Sequence, residues 1–150
     1  MEETPDGGTG PAGAAPELEA SLALDGGPSC IAQARHLAAV VLIKAKERCG
    51  IPVVTATVEI VQLIVSELVT NAVKHAPGPA SLHLRTSGPL LRIELRDSTP
   101  HMPATRAPDP ERIGQHGLEI VAALAETLTV EPTADGKRIV ATLALDAPRA

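Results

Sequence analysis

SELVTNAVKHA, residues 66–76, decides how this chain is read. Leu68, Val69, Ala72 and Val73 are core material for a helix, and Glu67 and Asn71 stand one helical turn apart among them. On a projection at about 100° per residue, Val58, Val61, Val65, Leu68, Val69 and Ala72 form one broad apolar arc. Glu59, Gln62, Ser66 and Thr70 form a polar edge. Glu67 and Asn71 fall elsewhere, on the line of Ile60, Leu63 and Ile64, with Lys74 near that line and His75 at its margin. A face that begins dry and becomes acidic and amide-bearing fits the floor of a pocket. Spacing alone leaves the commoner alternative open: a surface Glu and a surface Asn.

Working outward, this helix is expected over 53–75, stopped by Pro77, Gly78 and Pro79. Upstream, 18–24 alternates loosely as a first strand, broken by Asp25, Gly26, Gly27 and Pro28. Ser29 is a candidate N-cap for a helix to about Cys49, closed by Gly50 and Pro52. Downstream, 81–87 and 90–97 alternate with period two across a Gly88-Pro89 turn, giving a hairpin with one dry face and one wet face. Residues 98–116 carry Pro100, Pro103, Pro108 and Pro110 without periodicity. A loop of that length in a compact domain is usually functional or disordered. Gly117 is expected to open a helix, 127–131 a strand, Asp135-Gly136 a turn and 138–146 a last strand. One-sided strands with two-turn-or-longer helices between them predict an α/β two-layer sandwich, a mixed but mostly antiparallel sheet with helices on one face.

Composition narrows the function. The chain has 150 residues, 44% hydrophobic, with no Phe, Tyr or Trp, so Leu, Ile, Val and Ala must build the core and no ring can stack on a base. A formal net charge of −5 gives no basic stripe for direct nucleic-acid binding. Cys30 and Cys49 show no CxxC spacing and read as reduced thiols of a cytoplasmic protein. Residues 1–16, acidic and rich in Gly, Pro and Ala, read as a disordered tail rather than a secretory signal, ahead of one domain over 17–146 and a short tail over 147–150. No long uninterrupted apolar run predicts a membrane span.

Two further features carry chemistry. Asp97 ends a well-alternating strand, where a carboxylate either forms a turn or accepts a proton from an exocyclic amine. GQHGLEIV, residues 114–121, places Gly114 and Gly117 before or at a helix start, where free N–H groups favour phosphate; a flexible loop ending in a helix is the alternative.

Taken in order, the Glu/Asn helix, the strand ending in Asp, the long loop and the Gly-x-x-Gly-Leu helix resemble the gyrase/chaperone/histidine-kinase (Bergerat-type) ATPase domain. Within that superfamily the chain looks most like stand-alone bacterial anti-sigma-factor serine/threonine kinases, over about residues 18–146. SELVTNAVKHA matches the N-box and GQHGLEIV the later glycine box. The resemblance implies that Asn71 binds the Mg²⁺ bridging the ATP phosphates, and that Glu67 is the general base. It implies that Asp97 accepts the adenine amino group, and that Gly114, Gly117 and Leu118 belong to the phosphate cradle. Lys74 and His75 lie where they could reach the phosphate side. The sequence departs from the family at Asp97-Ser98-Thr99-Pro100-His101, where Asp-x-Gly-x-Gly is usual, and at Lys137, where a Thr commonly follows the glycine. The implied function is an ATP- and Mg²⁺-binding regulator that phosphorylates a Ser or Thr of an antagonist protein. A sigma factor or that antagonist is its partner, and a homodimer is compatible with the resemblance. The alternative is a non-catalytic protein-binding module, nucleotide-dependent or not, with a degenerate ATP site.

Overall fold

The computed structural model describes residues 17–75, 78–98 and 115–148. The expected tail at 1–16, Gly114 and most of the proline-bearing loop lie outside the described residues. The chain runs β1 (Glu19–Leu24), α1 (Cys30–Cys49), α2 (Thr55–His75), β2 (Ala80–Ser87), β3 (Leu90–Asp97), α3 (Gln115–Leu124), β4 (Thr127–Pro132) and β5 (Lys137–Ala144). The strands form one five-stranded sheet in the order β1-β2-β3-β5-β4. Every described pairing is antiparallel, so the sheet is antiparallel throughout rather than mixed.

Period-two alternation sets which side of the sheet is dry. Rungs of inward residues cross the sheet in register: Leu22, Leu82, Leu95, Ile139 and Val130 form one, and Ala20, Leu84, Ile93, Ala141 and Leu128 the next. Leu82, Leu84, Leu91, Ile93, Leu95, Ile139 and Leu143 are fully buried. Burying each large side chain of this kind contributes about 1.5–3 kcal/mol. The other face carries His83, Arg85, Arg92, Glu94, Arg96 and Arg138, cross-linked by carboxylates. The three helices cover the inner face, α2 in the middle against α1 and α3. By length and composition α2 could also cross a membrane, with a mean hydropathy of 1.4; here its apolar side packs on the sheet.

The helix ends differ from expectation in instructive ways. Ser29 makes no side-chain cap, because its backbone is already helical. The turn is closed instead by Asp25, whose Oδ1 accepts from the Gly27 N–H at 2.8 Å and from the Cys30 thiol at 3.0 Å. Those contacts, Cys30 first, hold the Asp25 carboxyl below its usual range. At the other end of α1 the expected glycine stop is found: Gly50 is left-handed at φ 69°, and Ile51 N–H donates to the Ala45 carbonyl. The second helix starts at Thr55 rather than Val53, because Val53 packs into the core and Val54 is the first carbonyl to accept a helical bond. The third starts at Gln115, so Gly117 lies within its first turn rather than opening it. It ends at Leu124, and the Glu126 N–H donates to the Thr142 carbonyl of β5.

Candidate functional site

The two flanks of α2 have different jobs. Ser66 and Gln62 face α1: the Arg35 Nη1 donates to Ser66 Oγ at 3.2 Å, and Gln62 Nε2 donates to the Arg35 carbonyl at 3.1 Å. One residue further round the helix, Glu67 faces α3. A Cβ added to Gly117 would lie 2.7 Å from Glu67 Oε1, so α3 approaches the carboxylate this closely only because residue 117 has no side chain. The structure thus brings together two sequence-predicted residues that are fifty positions apart.

Asn71 follows one turn after Glu67 and is only 7% exposed. Its neighbours Leu68, Val69 and Ala72 are core residues. Among the described residues, neither the Asn71 amide nor the Glu67 carboxylate makes a hydrogen bond or ion pair. Among the described residues the side-chain polar atoms shut off from solvent without a hydrogen bond are Thr57 Oγ1 and Asp97 Oδ2, not those of Asn71, so the polar end of Asn71 keeps an edge open to water or a ligand. The predicted apolar line behind these two residues is only partly dry: Ile64 is buried, Ile60 half-buried, and Leu63 is 39% exposed. Lys74 and His75 are exposed at the C-terminal end of α2. Leu118 is half-buried against the core beside Gly117.

Asp97 lies on the last inward rung of the sheet, where Leu24, Ala80, Asp97, Lys137 and Pro132 are successive partners. Its side chain is fully buried, and Lys137 Nζ lies 2.8 Å from Oδ2 with only 4% of the lysine side chain exposed. Sequence reading noted Lys137 only as a departure from the family's Thr. The signal that it points inward was present: it keeps the alternation of Ile139, Ala141 and Leu143. Two glycines press on this strand end. A Cβ on Gly136 would meet the Asp97 carbonyl oxygen at 1.9 Å, and one on Gly78, at φ 120°, would meet Ser98 Oγ at 2.7 Å.

Two cavities border the Asp97 end of the sheet, and neither is lined by Glu67, Asn71 or Gly117. One of about 580 Å³ lies between the C-terminal end of α2 at Ala72 and Val73 and the strand ends at Leu24 and Ala80. The other, of about 360 Å³, is bordered by Asp97, Ser98, Thr133 and Asp135. Among the described residues no group of three His, Cys, Asp or Glu side chains is placed to hold a metal by itself. An ion here would therefore need oxygen atoms of its ligand beside the Asn71 amide, which suits Mg²⁺ carried on phosphates.

Residues 28–143 match a protein family described as the histidine kinase-like ATPase domain. No curated protein matches the chain. Among solved structures, the RsbU and RsbW domains of Rv1364c from Mycobacterium tuberculosis align over 89% of this chain, with a TM-score of 0.64 and 19% identity. This chain spans 33% of that one, so the likeness is one of fold over a third of a longer protein. The histidine kinase domain of a blue-light activated histidine kinase from Erythrobacter litoralis EL346 aligns over 59% of this chain and 45% of its own, at 27% identity and a TM-score of 0.44.

Proposed function

The chain belongs to the histidine kinase-like ATPase domain family, and from that premise we propose that it is an ATP- and Mg²⁺-binding regulator that transfers the terminal phosphate of ATP to a Ser or Thr of a partner protein. The observation that carries this reading is Asn71: a side chain only 7% exposed with no protein partner among the described residues, one turn beyond the half-buried carboxylate of Glu67, which has none either. The Asn71 oxygen would hold Mg²⁺, whose role when bound is to neutralise charge on the phosphates. Glu67 would accept the proton of the attacking hydroxyl, and its half-buried position against α3 leaves it accessible from one side. The N-terminal turn of α3, with Gly117, would present backbone N–H groups to phosphate. Leu118 would pack behind that turn, and Gly114 would belong to the same cradle. Lys74 would add positive charge on the phosphate side, and His75 lies beside it at the exposed end of α2. Asp97 would take the exocyclic amine of the base, in competition with Lys137.

The partner proteins follow from the resemblance of SELVTNAVKHA and GQHGLEIV to anti-sigma-factor kinases: a sigma factor and its protein antagonist. The test is a titration of nucleotide with and without Mg²⁺ on the wild type and on Asn71→Ala, followed by phosphate transfer to a candidate antagonist by the wild type and Glu67→Ala. Metal-dependent binding lost in Asn71→Ala, with transfer lost in Glu67→Ala, is expected. Binding that ignores both the metal and Asn71 sinks the reading. One observation favours a second reading, a protein-binding module with a degenerate ATP site: the buried Asp97–Lys137 pair. Metal-dependent binding with phosphate transfer absent even in the wild type would select it.

A further inference from the structure

The Asp97–Lys137 pair is a polar rung on a dry face. Leu91, Ile93 and Leu95 precede Asp97 on the inner side of β3, and Ile139, Ala141 and Leu143 follow Lys137 on β5, all fully buried. Backbone hydrogen bonds hold the ladder without these side chains, and an apolar pair would close the rung without desolvating two charges. The chain nevertheless encloses them. Gly136 brings the β4–β5 turn into contact with the Asp97 and Ser98 backbone, and Gly78 packs on Ser98. The carboxylate is therefore fixed in place and its partner is supplied from within the chain.

An alkylammonium and the exocyclic amine of a purine offer a carboxylate the same thing, N–H donors. We propose that Lys137 is the specificity-determining residue of this site: its ammonium takes at Asp97 the position that a base amine would need. This rests on the reading of the site as a nucleotide site. A base amine must compete at Asp97 with an ammonium 2.8 Å from Oδ2, and displacing that ammonium would leave a buried cation unpaired. Recognition then falls to the phosphate end, at Asn71 and the first turn of α3. The wild type binds a triphosphate with little regard for its base. Shortening Lys137 takes the ammonium away from the carboxylate and makes the site select adenine.

The experiment is calorimetric titration of the full chain with Mg·ATP, Mg·GTP and Mg·tripolyphosphate, on the wild type and on Lys137→Thr. Threonine is short and keeps a hydroxyl that can donate to Asp97. The three ligands are expected to bind the wild type with dissociation constants within about three-fold of one another. Lys137→Thr is expected to prefer Mg·ATP over the other two by about ten-fold or more. The wild-type arm needs no variant, so the proposal stays exposed even if Lys137→Thr fails to fold. A wild-type preference for Mg·ATP of about ten-fold or more overturns the role of Lys137 and leaves the nucleotide site standing. An unaltered base preference in folded Lys137→Thr does the same. If no ligand binds either protein, the nucleotide reading falls and this proposal with it.

Discussion

Asp97 and Asn71, two of the buried polar residues, are treated in opposite ways. Asp97 is fully buried and has an internal counter-ion in Lys137. Asn71 is nearly as buried, on α2, and has no protein partner among the described residues. Physical chemistry gives both the same problem, since an unsatisfied polar group in a low-dielectric interior is costly. The first has its charge countered by folding alone, through an ion pair with Lys137. The second makes no protein hydrogen bond among the described residues, as the proposed role of Asn71 requires. On the proposed function, the difference separates residues that hold this protein together from residues that take a ligand, and it can be broken by substitution.

The largest effect is expected at the satisfied pair. Asp97→Ala removes one partner and strands a lysine that is 4% exposed, so unfolding free energy should fall by about 3–5 kcal/mol. Urea denaturation would read this as a shifted midpoint. A loss below about 1 kcal/mol would mean that the ammonium escapes to water, as a flexible surface lysine would. Gly136→Ala comes next. Its Cβ would fall 1.9 Å from the Asp97 carbonyl oxygen, a backbone atom that cannot swing away, and about 1–3 kcal/mol should be lost.

The unsatisfied side should behave differently. Gly117→Ala also creates a close contact, but with Glu67 Oε1, the far end of a flexible side chain. The clash is relieved by rotating Glu67, and alanine favours the helix by about 1 kcal/mol, so the two terms nearly cancel in the melting temperature. What should suffer is phosphate transfer, because Glu67 has been pushed aside. Asn71→Leu sharpens the contrast most directly. It replaces a partnerless buried amide by an apolar side chain of similar size, so stability should hold or rise by up to about 1 kcal/mol while Mg²⁺-dependent nucleotide binding disappears. A strong destabilisation would show that Asn71 is structural.

Much of this was legible in the sequence because it depends on period and punctuation. The alternation of 90–97 fixed the inner face of β3, and Gly50 fixed the end of α1. Glu67 and Asn71 could be singled out because they continue a helical line, which is a local property. The meeting of Glu67 with Gly117, and of Asp97 with Lys137, was not local. Each pair is joined by the packing of elements far apart in sequence, and strand register cannot be read from one strand. Lys137 was also masked by its type: a lysine at the start of a strand ordinarily reads as a solvated residue. The start of α3 was misplaced for a simpler reason, since a glycine inside a helix looks like a glycine before one.

The smallest effect tests the comparison within a single strand. Glu94 lies three residues before Asp97 on β3 but points to the outer face, with 13% of its side chain exposed. Partial burial alone would raise its pKa, yet hydrogen bonds from Arg96 Nε at 2.6 Å and Arg92 Nη2 at 2.9 Å outweigh that and hold it below the usual range. A carboxyl whose folded-state pKa is depressed binds its proton more readily in the unfolded chain. Its stabilisation is therefore complete above the unfolded value of about 4.3 and is lost as pH falls through the folded one. Both arginines are about half exposed, so solvent screening limits the contribution to about 0.5 kcal/mol at neutral pH. Glu94→Gln should show that loss near pH 7 and match the wild type below the carboxylate range, as read from denaturation midpoints across pH. A loss as large as that of Asp97→Ala would mean that this pair is as shielded as the one on the inner face. That outcome would remove the distinction between a carboxylate held by a buried counter-ion and one held by a wet arginine pair.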